Sequence, residues 1–171
     1  MDLLFKNFST GYESNKIIND LNLEIKSGEW VGIIGSNGSG KSTLLKGIMK
    51  MTPQKNGDIF VNKTSIDSLK IKKLAKIISY LPQKINSNLP ITVKELVALG
   101  RSPHKYFWEF DWNEEDFSII EEALEICDLK KYSDNALSSL SGGQCQRAYL
   151  ALTIAQKTKI ILLDEPTTFL I

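Results

Sequence analysis

Hydrophobic and polar positions alternate in the first part of the chain. Leu21, Leu23 and Ile25 are each separated by one polar residue, and this period of two predicts a half-buried strand. Two runs without a polar side chain, Trp30 to Ile34 and Ile160 to Leu163, instead predict strands that are buried on both faces. The Asn56-Gly57 pair predicts a turn before another strand. Strands are therefore predicted at 3–8, 21–25, 30–34, 58–61, 77–81 and 160–163.

Helical spacing dominates the second part of the chain. Phe117, Ile120, Leu124 and Cys127 recur at intervals of three, four and three, which predicts one buried stripe on a helix. Asn113 precedes this helix, and three acids fill its first turn, where the helix dipole favours negative charge. Helices are predicted at 42–50, 68–75, 93–99, from 114 onward and at 142–156.

Composition adds limits to this picture. The chain has 171 residues and a formal net charge of +1, so no strong field recruits nucleic acid or anionic lipid. Its two cysteines, Cys127 and Cys145, have no accompanying histidine cluster, which argues against a zinc site and a disulfide scaffold. No apolar run approaches the roughly 18–20 residues that span a bilayer. We therefore expect a membrane link only through a partner protein.

A glycine-rich segment lies between the predicted strand at 30–34 and the predicted helix at 42–50. It matches the P-loop pattern G-x-x-x-x-G-K-[ST], in which glycines let backbone N–H groups wrap around phosphate. Lys41 can reach the β- and γ-phosphates, and the Ser42 hydroxyl can ligate Mg²⁺. The alternative is a glycine-rich turn that carries a lysine by chance. The predicted nucleotide-binding residues here are Gly35, Ser36, Asn37, Gly38, Ser39, Gly40, Lys41, Ser42 and Thr43.

Two acids end the apolar run at 160–163. Such a run places Asp164 and Glu165 at the carboxyl end of a strand, where α/β sheets bind ligands. Asp164 can hold Mg²⁺, usually through water, and Glu165 can activate a water molecule as a general base. The alternative is a buried strand that happens to end in acids.

A second phosphate-binding element is predicted between these motifs. It reads Leu140-Ser141-Gly142-Gly143-Gln144, and Ser141 with Gln144 fits a capping box at a helix N-terminus. Backbone N–H groups without helix partners at such an end form an anion site. Because one chain has one P-loop, a second phosphate-binding element suggests that two chains share a nucleotide. The alternative is an ordinary N-cap with a flexible entry.

Together these motifs resemble an ATP-binding cassette ATPase over essentially the whole chain. The resemblance implies an α/β, RecA-like P-loop NTPase core with N-terminal antiparallel strands at residues 1–83 and 158–171, and a helical signature subdomain at 84–157. It also implies that Tyr12 stacks on adenine and that Gln83 senses Mg²⁺ and takes part in catalysis with Lys41 and Glu165. ATP would lie between two cassettes, a homodimer or a pair, arranged head to tail. The residues that would reach its γ-phosphate from the partner are Ser141, Gly142, Gly143 and Gln144.

The segment from Leu99 to His104 is similar to one in ATPases of iron–siderophore, haem and cobalamin importers. This branch implies transmembrane permease subunits, a periplasmic or lipoprotein substrate-binding protein reached indirectly, and a position on the cytoplasmic face of the membrane. We expect His104 to be a solvent-exposed loop residue. The aromatic residues that follow fit either a permease contact or a local lid, and they are Tyr106, Phe107, Trp108, Phe110 and Trp112.

The end of the chain departs from the family pattern. Ile171 stands where the family has the D-loop aspartate, and the switch histidine, which the family has further downstream, is absent from this sequence. The family's sheet also has a strand between the P-loop strand and the strand at 160–163, and without it both lose hydrogen-bonded neighbours. We expect an incomplete cassette that folds poorly alone and hydrolyses ATP weakly or not at all. The rival interpretations are a non-hydrolytic nucleotide-binding module and a soluble cassette protein of translation or DNA repair.

Overall fold

The computed structural model describes residues 1–106 and 111–165. The chain divides into two compact units, Met1–Leu74 and Ala75–Ile171. The first unit contains β1 (Leu3–Tyr12), β2 (Asn15–Ile25), α1 (Lys41–Ile48), β3 (Gln54–Val61), β4 (Thr64–Ser65) and α2 (Ile71–Ala75), whose last residue begins the second unit. The second unit contains β5 (Ile78–Leu81), α3 (Val93–Ala98), α4 (Glu114–Ile126), α5 (Gly142–Ala155) and β6 (Ile160–Leu163). Short 3-10 helices occupy Ile66–Ser68, Leu99–His104, Lys130–Tyr132 and Leu137–Ser139.

An antiparallel sheet in the order β2-β1-β3-β4 forms the first unit. Helix α1 packs against this sheet, and Gly47 lets the Phe8 ring approach the helix backbone. Phe5 and Phe8 lie in the core with their ring centroids 5.9 Å apart. The predicted N-terminal antiparallel strands are therefore confirmed, although β1 and β2 are longer than the patterns indicated.

The predicted turn at Asn56-Gly57 is wrong, because β3 runs through it. Gly57 has a φ of +70° and lies opposite Asn7, whose own φ is +48°. The register of β1 and β3 shifts between Lys6 and Ser9, which marks a β-bulge. A side chain at Gly57 would collide with the Asn7 carbonyl, so the glycine serves a bulge instead of a turn.

The predicted buried strand at 30–34 is also wrong. Trp30 is 97% exposed and Ile34 98% exposed, and the segment has no strand hydrogen bonds. A strand requires a neighbouring strand for its backbone N–H and C=O groups. Within residues 1–106 and 111–165, no strand pairs with this run.

Helices around one apolar core form most of the second unit, beside a parallel pair of strands. Helices α3, α4 and α5 pack together through a cluster that includes Val97, Leu124 and Ala148. Strands β5 and β6 pair in parallel, with Leu81 opposite Leu163. Ile161 and Leu163 of β6 are exposed whereas Leu162 is buried, so one face of the strand is uncovered, contrary to the prediction of burial on both faces.

The predicted stripe on α4 is correct except at its first member. Ile120, Leu124 and Cys127 are buried, whereas Phe117 is 45% exposed. Phe117 lies on the wall of an open cavity of about 400 Å³ that Trp112 also lines, so its ring is not enclosed by the core. The predicted helix at 68–75 is shorter than expected, since α2 covers only Ile71–Ala75.

Candidate functional site

The glycine-rich segment closes into a loop in front of α1. Lys41 is the first residue of the helix, and its Nζ donates to the carbonyl oxygens of Gly35 at 2.9 Å and Ser36 at 3.1 Å. The Ser39 N–H donates to the Ser36 carbonyl at 3.2 Å. The N-cap residue of α1, Gly40, has no side chain that could accept from the helix N–H groups. The Lys41 ammonium group and the N-terminus of α1 therefore lie at one loop, as phosphate binding requires.

Gly40 has a steric reason for its position at the N-cap of α1. Its φ is +96°, and a Cβ there would lie 2.8 Å from Cγ2 of Ile17 on β2. Gly38 has a φ of +81° but open space around it. The loop thus needs left-handed backbone at two glycines and close approach to β2 at one of them.

Strand pairing builds the second group of candidate residues. The Asp164 N–H continues the ladder by donating to the Leu81 carbonyl at 3.0 Å. Beyond this bond, Gln83 Nε2 donates to Glu165 Oε2 at 2.5 Å. The predicted pair of Gln83 and Glu165 is therefore brought together at the carboxyl end of two parallel strands, although 82 positions separate them.

A tyrosine completes this group and was not predicted. The Tyr80 hydroxyl donates to Asp164 Oδ2 at 3.0 Å, and Asp164 is buried. This bond orients the carboxylate that was predicted to hold Mg²⁺. Only the place of Tyr80 in a strand that leads to Gln83 could have indicated it.

The segment predicted as a second anion site forms the start of α5. Ser141 Oγ accepts from the Gln144 N–H at 3.3 Å, and Gln144 Oε1 accepts from the Ser141 N–H at 2.8 Å. This reciprocal pair is the predicted capping box, and Gly142 and Gly143 form the first turn of the helix.

Several other sequence expectations can be located. Tyr12 is exposed at the end of β1. His104 is half-buried and donates from Nε2 to the Gln156 carbonyl at 2.9 Å, so the expectation of a solvent-exposed loop residue is wrong. Cys145 is buried, and burial raises the pKa of its thiol, which keeps the thiolate scarce. The motif residues after Glu165, and the aromatics Phe107, Trp108 and Phe110, lie outside the described residues.

Two searches concern only the described part of the chain. None of its helices is both long and apolar enough to cross a membrane. It also contains no group of three or more histidine, cysteine or acidic side chains that could hold a metal ion.

Comparisons with known proteins agree with these motifs. The chain is 48% identical over 151 residues to the petrobactin import ATP-binding protein FpuC of Bacillus anthracis, which covers 88% of this chain and 55% of that protein. It is 40% identical over 160 residues to the iron(3+)-hydroxamate import ATP-binding protein FhuC of Bacillus subtilis, covering 94% and 59%. The chain thus spans somewhat more than half the length of these curated relatives.

A solved structure shows the same fold. The dimeric ATP-binding cassette MJ0796, in a post-hydrolysis state with ADP and Pi, superposes with a TM-score of 0.80 at 31% identity, over 97% of this chain and 75% of that one. The sequence profile of the ABC transporter family matches residues 18–168. This chain therefore belongs to the ABC transporter family.

Proposed function

We propose that the full-length protein is the ATP-binding and ATP-hydrolysing subunit of an importer for iron–siderophore or related metal chelates. The observation that carries the catalytic part is the hydrogen bond from Gln83 to Glu165. It fixes one carboxylate oxygen at the end of β6, where a water molecule must be activated for hydrolysis. The importer part is supported by relatives named for petrobactin and iron(3+)-hydroxamate import.

The residues of the P-loop bind the phosphates in this proposal. The backbone of 35–40 surrounds the phosphate oxygens, and Lys41 offsets their charge. In the present structure the Lys41 ammonium bonds to loop carbonyls, which are weaker partners than phosphate oxygens. Nucleotide binding would exchange these bonds for charge-assisted ones. Tyr12 would then contact the adenine ring.

Oxygen donors at the proposed metal position suit Mg²⁺. Ser42, Gln83 and Asp164 supply a hydroxyl, an amide oxygen and a carboxylate, the hard ligands that this ion prefers. The Tyr80 hydrogen bond to Asp164 supports the fit, because ligating carboxylates are commonly oriented by a neighbouring donor. When bound, Mg²⁺ supplies positive charge that stabilises the transferring phosphoryl group.

A second cassette completes the site in this proposal. The N-terminus of α5, with Ser141, Gly142, Gly143 and Gln144, would contact the γ-phosphate held by the partner's P-loop. The two cassettes would associate with permease subunits at the cytoplasmic face of the membrane, and only indirectly with a substrate-binding protein. The subdomain boundaries at 84 and 157 belong to the same proposal.

Turnover and transport by the full-length protein test the proposal. Glu165→Gln should lower ATP turnover by about 10²–10⁴-fold, the usual contribution of a general base. Glu125→Gln, at an exposed position on α4, is the matched control and should leave turnover unchanged. Uptake of radioactive iron as a siderophore complex should be lost in a strain that carries only Glu165→Gln. Parent turnover in this variant would refute the hydrolytic role, and normal uptake after deletion of the gene would refute the importer assignment.

A further inference from the structure

The segment Leu99–His104 packs directly on the last turn of α5. A Cβ at Gly100 would overlap the Leu152 carbonyl oxygen, so glycine is required for this approach. Arg101 Nη1 donates to the Ala155 carbonyl at 3.0 Å. Carbonyls in the last turn of a helix have no partners within the helix, and a positive group there is favoured by the helix dipole. Arg101 therefore caps the C-terminus of α5, the helix whose N-terminus carries the motif at 140–144, here called the signature motif.

A buried ion cluster fixes the Arg101 side chain. Its Nε donates to Asp116 Oδ1 at 2.9 Å, and Lys105 Nζ lies 2.5 Å from Asp116 Oδ2. The Arg101 and Asp116 side chains are only 7% and 4% exposed. Asp116 also accepts from the Asn113 N–H in the capping box of α4. One guanidinium thus joins the N-terminus of α4 to the C-terminus of α5, which the fork of N–H donors on arginine allows and a lysine does not.

Hydrogen bonds also link the C-terminal end of α5 to strand β5. His104 Nε2 donates to the Gln156 carbonyl, and the Gln156 side chain donates to the carbonyls of Ala75 at 2.6 Å and Ile78 at 3.3 Å. Strand β5 leads to Gln83. The end of α5 is therefore tied to the strand that carries one of the proposed catalytic side chains.

We infer that Arg101 is a positioning residue: it fixes the position in which the N-terminus of α5, with the signature motif, meets the partner cassette. The inference rests on the proposed function, since it concerns the same shared nucleotide. Arg101 acts at the C-terminus of α5, a rigid helix of 14 residues, and the motif acts at its N-terminus. Loosening the cap lets the helix shift, which weakens contacts that α5 makes to a second chain. Binding of nucleotide to one chain's own P-loop does not use those contacts.

The test measures these two events separately in the full-length protein. In a Glu165→Gln background, ATP-driven dimer formation is followed by light scattering, and ATP affinity of the undimerised protein by equilibrium binding at low protein concentration. Arg101→Lys should raise the ATP concentration for half-maximal dimer formation at least tenfold. It should change the affinity of the single chain less than twofold. A general loss of folding would instead weaken both dimer formation and ATP binding by the single chain.

The matched control is Lys130→Met, which removes the exposed pair of Lys130 with Glu125 and should change neither quantity. If Arg101→Lys fails to fold, His104→Asn decides, because it removes one hydrogen bond of the same cap without leaving a buried charge. It should raise the ATP requirement about fivefold, since one hydrogen bond contributes about 1 kcal/mol, a factor of about five in an equilibrium constant. Dimer formation by these variants at the parent's ATP concentration overturns the inference. Failure of the Glu165→Gln parent itself to dimerise with ATP overturns the proposed function, and the inference with it.

Discussion

The buried ion cluster around Asp116 allows a quantitative prediction about stability. Asp116→Asn keeps the shape of the side chain and its capping oxygen but removes the charge that faces Arg101 and Lys105. Breaking a buried ion pair at one partner typically costs about 3–5 kcal/mol, because the other charge remains uncompensated. Lys105 is close enough to the surface to rehydrate, with 12% of its side chain exposed. We therefore expect a loss near the lower end, about 3 kcal/mol.

An exposed pair in the same unit provides the comparison. Glu125 and Lys130 lie 3.1 Å apart, but their side chains are 71% and 57% exposed. Exposed pairs contribute about 0–1 kcal/mol, so Glu125→Gln should change stability by less than about 1 kcal/mol. Urea unfolding of the full-length protein, followed by circular dichroism, gives the two free energies. Amide hydrogen exchange in α4 and α5 shows whether the loss is local to the cluster.

The pH dependence of unfolding supplies a second reading of the same variant. Burial raises the pKa of the Asp116 carboxyl, but hydrogen bonds from Lys105 and Arg101 outweigh it, and the pKa lies below its ordinary value of 3.8. A carboxylate with a depressed folded pKa stabilises the fold above the unfolded value, and this contribution disappears as pH falls through the folded pKa. The stability difference between parent and Asp116→Asn should thus be constant at neutral pH and shrink below about pH 5. The reasoning would be refuted by equal losses of stability in Asp116→Asn and Glu125→Gln. It would also be refuted if the stability difference between parent and Asp116→Asn did not shrink at acid pH.

Three further predictions concern separate parts of the chain. Gly40→Ala should weaken ATP binding more than Gly38→Ala, because both residues have positive φ but only Gly40 also meets a β2 side chain; titration with a fluorescent ATP analogue measures the difference. Cys127, whose pKa burial raises to about 11, and Cys145 should resist iodoacetamide at pH 8 in the native protein and react after denaturation, as peptide mass spectrometry would show. Ser141→Ala should lower stability by about 1 kcal/mol through loss of the α5 cap, measured by urea unfolding.

Helix caps and the P-loop could be predicted from the sequence, because they depend on contacts between residues that are close along the chain. The capping box of Ser141 and Gln144 and the acid-rich start of α4 were both correct, because each depends on residues within one turn of a helix. The P-loop likewise joins residues only a few positions apart.

Expectations that depended on distant partners were less successful. The run at 30–34 has the composition of a buried strand, but composition gives no neighbouring strand to bond with. The Asn56-Gly57 pair is typical of a turn. Gly57 instead lies in a β-bulge opposite Asn7, which is 50 positions away in the sequence. The sequence did not distinguish Arg101 from the other cations, because its partners, Asp116 and the end of α5, are brought to it only by the fold.

Two adjacent acids at the end of β6 have different surroundings, because strand alternation extends to Asp164 and the left-handed backbone of Glu165, with a φ of +50°, ends it. Side chains along a strand alternate between faces, and Leu162 is buried whereas Ile161 and Leu163 are exposed. Asp164 continues the buried face of Leu162 and meets the Tyr80 hydroxyl, whereas Glu165 meets the amide of Gln83. A slip of β6 by one residue against β5 would move Asp164 off the buried face, and the bond from the Asp164 N–H to the Leu81 carbonyl holds the register against it. The order of the two acids is therefore part of the proposed chemistry, since it separates the carboxylate oriented by a hydroxyl from the one held by an amide.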